Sequence, residues 1–430
     1  MKKLFWIFIA SPVLFSARIW AQETVKDTVF LIPFADTVLL DEVVVKAHKT
    51  IPMNNRWSDL QPVDLVTVAG ANGNLYKALE TLPGTQIQGE SGRLLVRGGS
   101  SDETQTYIDG MHVLNPYTST AENIPARGRY SPFMFSGINL STGGHSQEYG
   151  EALSAVLPLE TKDNSRINKV GISPSTVGIG GGGNHAFRNA SLALNLDYQN
   201  LALYNKVYPG RIDFKKPYQM FSGATQFRYT PSGSSVFKIY VGYDRTDYSN
   251  YTDNNRYLFC LGENNVYLNS TFRTAISGGW EWFSGMAYSL FDRKVDGAVT
   301  EGDHWCEKQA ELHFKTKLSK KFHPTFRMDV GFESFLRWYE TRYSQVSVAD
   351  TKEISPTIEA VFGTVSYYPV ENLKAELSFR TEYASLARKI NFSPRLSFSY
   401  SWCDLVLSAT AGRYTQLPNA KYLAQQPSLL

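Results

Sequence analysis

Cysteine is scarce. Cys260, Cys306 and Cys403 are the only three in 430 residues, an odd number at wide spacing. They supply neither a disulfide framework nor the paired thiolates of a zinc site. Charge of one sign is not in excess either, with 43 Lys and Arg against 40 Asp and Glu and a formal net charge of +3. A chain so balanced lacks the clustered basic surface that holds nucleic acid, and no such partner is expected. Beyond the first residues no apolar run approaches the roughly 18 residues of a spanning helix, and mean hydropathy is −0.27. Catalytic signatures are missing as well. The stretch Arg97-Gly98-Gly99-Ser100-Ser101-Asp102 is followed by no Lys-Ser/Thr pair and opens no long helix, which excludes a phosphate loop. His304-Trp305-Cys306 is the nearest approach to a metal-ligand pair, and side chains so placed are far more often ordinary ones. No catalytic residue, metal or cofactor is expected, and the chain does not read as an enzyme.

What the chain has in quantity is aromatic residues, 13% of the total with 25 Tyr, 25 Phe and 8 Trp. High aromatic content with weak overall hydropathy fits a transmembrane β-barrel, whose strands alternate lipid-facing and lumen-facing residues. The N-terminus carries Lys2 and Lys3, an apolar stretch from Leu4 to Leu14, and a small residue at Ala21. That is the plan of a signal peptide spanning residues 1–21, too short for a membrane anchor. In the segment 22–55 stands Asp41-Glu42-Val43-Val44-Val45-Lys46-Ala47, a valine run between charges and a polar flank. Consecutive valines favour extended backbone. Near a free N-terminus such a strand can add to the sheet edge of another protein, or pair within its own domain, and the residues alone leave both readings open.

Residues 56–163 read as a small α+β unit. A short helix is expected over Asn74 to Thr81, capped by Asn74, with Leu75 and Leu79 on one face and Pro83-Gly84 as its stop. Short strands are expected at Leu94 to Val96, Thr104 to Ile108, Gly137 to Ser141 and Leu153 to Glu160, with turns at Arg97-Gly98-Gly99, Asp109-Gly110 and Gly143-Gly144. From 164 to 430 the pattern alternates with period two. Leu192, Leu194, Leu196 and Tyr198 face one way and Ser191, Ala193, Asn195 and Asp197 the other. Ala310, Leu312, Phe314, Thr316 and Leu318 stand opposite Glu311, His313, Lys315 and Lys317. Roughly twelve segments of about ten residues are expected, the length of tilted membrane strands. Pro231-Ser232-Gly233 and Val370-Glu371-Asn372 are expected as inner turns, Tyr248 to Asn265 and Tyr343 to Ser355 as outer loops, and Tyr229, Tyr243, Trp282, Trp338, Tyr368 and Tyr414 as an interfacial girdle.

Taken in order, these motifs resemble those of the TonB-dependent receptors. Asp41 to Ala47 resembles the TonB box. Leu79-Glu80-Thr81-Leu82-Pro83-Gly84, Val96-Arg97-Gly98-Gly99, Tyr107-Ile108-Asp109-Gly110, Ser141-Thr142-Gly143-Gly144 and Glu148-Tyr149-Gly150 resemble the plug, and Ser393-Pro394-Arg395-Leu396-Ser397 and Gly412-Arg413-Tyr414 resemble barrel strands. The resemblance implies an antiparallel transmembrane β-barrel around a small α+β plug. It implies an outer-membrane location, a periplasmic TonB-type energising partner, and import of a scarce nutrient such as a siderophore, haem, cobalamin, glycan or peptide. A surface signalling module and a barrel enzyme are the competing readings. The first would need an N-terminal extension for which 22–40 leaves no room, and the second would have no use for a plug. Of Arg97, Glu103 and Glu148, at least one is expected to pair with a charge on the barrel wall. The family's barrel has about twice the strands counted here, so the sheet is expected to be open, its first and last strands unpaired.

Overall fold

The computed structural model describes residues 57–425, except 61, 72, 88–90, 121–123, 163–167, 210–212, 253–256, 346–347 and 403–404. The signal peptide, the valine-rich box Asp41 to Ala47 and Cys403 lie outside the described residues. The small unit comprises β1 (Trp57–Leu60), α1 (Pro62–Thr67), α2 (Leu75–Leu79), β2 (Thr85–Ile87), β3 (Leu94–Val96), β4 (Thr104–Ile108), β5 (Met111–His112), β6 (Phe135–Ser141) and β7 (Ala155–Thr161). Asn74 caps α2 through its side-chain oxygen, which accepts the Tyr76 N–H at 3.2 Å and the Gly128 N–H at 3.0 Å. The cap therefore also ties the helix to a distant loop. Leu75 and Leu79 are both buried, as their shared face requires. The helix is shorter than the expected Asn74 to Thr81, because its last turn tightens ahead of Gly84, whose φ is +83°.

Five strands form a sheet in the order β1-β6-β7-β4-β5, in which only β4 and β7 run parallel. The hairpin between β4 and β5 turns on Asp109 (φ +50°) and Gly110 (φ +84°), the pair of positive φ values that a type I′ turn demands. Asp109 is fixed in that conformation because its carboxylate accepts the Thr161 N–H at 3.0 Å and the Thr161 hydroxyl at 2.6 Å.

The second sheet has fourteen strands. They are β8 (Lys169–Ser175), β9 (Gly178–Ala186), β10 (Ala190–Asn200), β11 (Phe214–Ser232), β12 (Ser235–Thr252), β13 (Tyr257–Ile276), β14 (Trp280–Asp296), β15 (His304–His323), β16 (Phe326–Gln345), β17 (Val348–Ile354), β18 (Thr357–Val370), β19 (Leu373–Ala384), β20 (Lys389–Trp402) and β21 (Leu405–Gly412). Each pairs antiparallel with its sequence neighbour, except that β16 pairs with both β17 and β18. The two end strands, β8 and β21, are not hydrogen-bonded to each other. Two short helices, α3 (Ala202–Val207) and α4 (Ala420–Gln425), lie outside the sheet, and no helix among the described residues is long and apolar enough to cross a membrane.

The strand count of fourteen is at the upper edge of the expected twelve give or take about two, and β9, Gly178-Ile-Gly-Gly-Gly-Gly-Asn-His-Ala186, is the hardest to count because it has few side chains to alternate. Two expectations are corrected. Strands β11 to β16 run 17 to 20 residues, not ten. At about 3.3 Å per residue a twenty-residue strand reaches roughly 66 Å, against a hydrocarbon layer of about 30 Å, so the strands project beyond it. For the same reason most of Tyr248 to Asn265 is the paired ends of β12 and β13, and Tyr343 to Ser355 is largely the hairpin of β16 and β17. The inner turns fall as expected, at residues 233–234 and 371–372.

The sheet is inside-out relative to a water-soluble one. On β15, Leu312, Phe314 and Leu318 are 36%, 40% and 44% exposed, while Glu311, His313 and Lys315 are at most 2% exposed. Such an outward face suits hydrocarbon. Tyr229, Tyr243 and Trp282 are on it. Tyr414 is not: its ring turns inward onto His145, with centroids 4.8 Å apart. The inward face is buried because the small unit lies against it. The apolar core of that unit reaches the wall at Tyr240, Tyr267, Phe283 and Ala287.

Candidate functional site

A second apolar contact sets Ile124 against Tyr218, Tyr248 and Leu261, and much of the remaining contact between plug and wall is polar. Strand β5 meets β15 through two histidines. The backbone N–H of His112 donates to His313 Nδ1 at 3.0 Å, so that nitrogen carries no proton, and His313 Nε2–H donates to Glu333 at 2.9 Å. Glu333 therefore selects the tautomer that lets His313 receive the plug. The His112 ring lies between Glu311 Oε1 at 2.6 Å and Gln105 Oε1 at 2.8 Å.

The segment from Gln147 to Glu151 is held by β15, β16, β19 and β20. The Glu148 carboxylate pairs with Lys317, and Lys315 Nζ donates to the Glu148 carbonyl at 2.6 Å. Burial alone would raise the Glu148 pKa, but Lys317 and then Lys315 outweigh it and hold the carboxyl at about 2. Gln147 Nε2 donates to the Ser393 carbonyl at 2.9 Å. Arg380 ion-pairs with Glu333 at 2.7 Å and with Glu382 at 2.6 Å, and lies directly over Gly150. A Cβ at Gly150 would fall 2.2 Å from Arg380 Nη2, so the Glu148-Tyr149-Gly150 motif needs glycine for close approach. Arg337 bridges Glu151 at 2.9 Å and Glu311 at 2.7 Å. On the opposite flank Lys238 pairs with Asp109 at 3.0 Å, and Arg129 with Asp244 at 2.7 Å.

The motif residues therefore divide. Asp109, Gly110 and Glu148 are at the seam, and Gly110 lies under the Phe283 ring. Gly99 packs on Ser154 and Glu103, and Glu103 accepts the Ser154 hydroxyl at 2.5 Å within the plug. Arg97 is exposed, and Gly98, Gly143 and Gly144 form turns at positive φ. The alternation places Glu311, His313, Lys315 and Lys317 on one strand face but does not mark them as the plug's receptor. The available signal was four consecutive inward positions that all carry titratable groups. Cys260 and Cys306 are free thiols. His304 is exposed and meets Asp296 at 2.7 Å, and no cluster of metal-binding side chains occurs among the described residues.

At the end of the sheet that carries the longer connections, plug and wall leave a cavity of about 630 Å³. The plug contributes Arg93 and residues 101–102, 104–106 and 112–117, the wall the upper ends of β14, β15 and β16, and residues 416–421 with Leu423 a third side. Phe291, Trp305, Tyr339 and Tyr343 are on the wall side. Asp303 fastens the neighbouring connection, accepting the Ala298, Val299 and Thr300 N–H groups at 2.7, 2.8 and 3.1 Å.

A small mixed domain bound inside an outward-apolar β-sheet defines a plugged β-barrel protein. Residues 65–156 match the model of the TonB-dependent Receptor Plug Domain, a match that covers the small unit. Solved structures with the same fold include the siderophore receptor PirA from Pseudomonas aeruginosa (13% identity, TM-score 0.62, 85% of this chain and 63% of that one). The outer membrane transporter YddB from Escherichia coli (13%, 0.63, 80% and 59%) and the copper transporter OprC (12%, 0.67, 86% and 66%) are similar. The chain thus spans about 60% of the length of the first two. No curated protein matches at the level of sequence.

Proposed function

We propose that this chain is the plug-bearing part of an outer-membrane importer that captures a scarce small nutrient outside and admits it when a periplasmic TonB-type protein pulls on Asp41 to Ala47. The observation that carries the reading is the seam. Beside the apolar contacts at Tyr240 to Ala287 and at Ile124, the plug is held by many ion pairs and hydrogen bonds, contacts that can be exchanged for water as a plug shifts. A permanent domain interface would be expected to be more apolar. The cavity lies beyond the plug at the long-connection end, where a ligand arriving from outside would stop. Siderophore and copper carriage by the similar structures supports the class of cargo, a scarce small nutrient. The wall needs no catalytic group for this, because the work comes from the partner.

The test is uptake with and without proton-motive force, in the native receptor and in Val44→Pro. Proline cannot donate to a sheet ladder. Uptake should stop in both the de-energised cell and the variant while surface binding persists. Undiminished uptake in either would refute the assignment.

A further inference from the structure

We infer that a solute passing the plug moves along the inner face of β8 and β9, an inference that rests on the import reading above. Register identifies that face. Leu194, Leu196 and Tyr198 of β10 point outwards, and their cross-strand partners Gly183, Gly181 and Ile179 share their face. Gly178, Gly180 and Gly182 therefore point inwards, and so do their partners on β8, Ser175, Ser173 and Gly171. Three successive cross-strand pairs thus present to the inside no side chain larger than that of serine. The outer face of the same hairpin keeps Val170, Ile172 and Ile179, as lipid demands. Glycine weakens a strand interior, and where it recurs it marks a place that another group approaches closely.

Elsewhere on the wall the approaching group is the plug. A Cβ at Gly242 of β12 would lie 3.5 Å from the Tyr130 ring, and one at Gly285 of β14 would collide with Met111 Sδ. In β8 and β9 the inward glycines make room for no such group. A Cβ at Gly171 would meet nothing within 4 Å, and at Gly178, Gly180 and Gly182 the nearest atoms belong to β10. Charge is distributed in the same way. Ion pairs join the plug to β12, β15 and β16. On the other flank Arg127 interacts with Asp197 of β10, and Ala193 of that strand packs on the apolar core. Beyond them, β8 and β9 carry one Lys, Lys169, and no Arg, Asp or Glu. When the plug leaves the wall, this sector has no projecting side chain to narrow the gap and almost no fixed charge to hold what moves past.

The test is cysteine labelling of the full-length receptor in energised cells, in a background in which Cys260, Cys306 and Cys403 are serine. The probe is a membrane-impermeant maleimide added outside. Gly171→Cys and Ser173→Cys stand on the inferred path, and both replacements are small. Ala287→Cys stands on the inner face of β14, where Ala287 is buried with the core. Ile172→Cys stands between the first two, on the lipid side. Gly171→Cys and Ser173→Cys should label at least tenfold faster than Ala287→Cys, and Ile172→Cys should stay unlabelled. Labelling of Ala287→Cys as fast as that of Ser173→Cys would overturn the inference, as would silence at both path positions or equal labelling of Ile172→Cys. The import reading fails separately. If the path positions label selectively but equally fast in de-energised cells and in Val44→Pro, the path stands and energy coupling through Asp41 to Ala47 does not.

Discussion

Glu333→Gln removes one charge and almost no volume from the centre of the seam. Glu333 is fully buried and serves three groups: His313 Nε2 at 2.9 Å, Arg380 at 2.7 Å and Lys315 at 3.7 Å. Glutamine can still accept the His313 proton, so the tautomer that receives the His112 N–H survives. The loss is the counter-charge. Breaking a buried ion pair by removing one partner costs about 3–5 kcal/mol. Arg380 keeps Glu382 at 2.6 Å, which places the cost at the lower end, about 3 kcal/mol. If plug and wall separate along this seam, local opening becomes about a hundredfold more frequent, since each 1.4 kcal/mol is a factor of ten. Hydrogen exchange read by mass spectrometry at His112 and at residues 147–151 measures that directly. Exchange should accelerate there by about two orders of magnitude and remain unchanged in the β2–β3 hairpin. Rates within twofold of the native protein at the seam would refute the idea that Glu333 holds plug to wall.

The other expectations concern the same docking. The His145 pKa is lowered to about 3 from 6.5, by burial and then by Arg395. A folded pKa below the unfolded one gives stability that is present above about pH 6.5 and is lost as pH falls towards 3. Glu148, held at about 2 against 4.5, adds a second loss between those values. The melting temperature should therefore decline in two stages on acidification, and His145→Phe should remove the first. A profile unchanged by that variant would contradict the assignment. Gly150→Ala should destabilise the plug by about 1–3 kcal/mol through overpacking, and the loss should shrink in an Arg380→Ala background. Additive effects in that double-mutant cycle would show that the two do not meet.

Much of this architecture is legible in the residues. Asn74, Leu75, Leu79 and Pro83-Gly84 mark a helix because capping, facing and stopping are local. Asp109-Gly110 marks a hairpin because only a few residues tolerate two positive φ values in succession. Alternation reveals β15 and β19 because each has one apolar face. Three things are not local and do not show in the residues. Strand ends beyond a membrane are as polar as loops, so the tops of β12, β13 and β16 read as connections. Glycine hides alternation, so β9 is obscure. Which inward charge meets which plug residue depends on register across 167 to 246 positions of sequence, as with Lys315 to Glu148 and Gln147 to Ser393. Nothing in the spacing of Glu148 announces Lys317. The cavity is harder still, since Gln105, Trp305, Arg337 and Gln416 converge from four remote segments.

The central claim is that the plug must leave the wall for a ligand to pass. The most direct measurement replaces the Glu148–Lys317 ion pair with a reversible tether, Glu148→Cys with Lys317→Cys, in a background in which Cys260, Cys306 and Cys403 are serine. Uptake of the nutrient that the cavity retains in equilibrium binding is then followed in energised cells, oxidised and reduced. Oxidation should stop uptake without weakening surface binding, and reduction should restore it. Undiminished uptake through a receptor whose tether is shown to be fully formed would contradict the account.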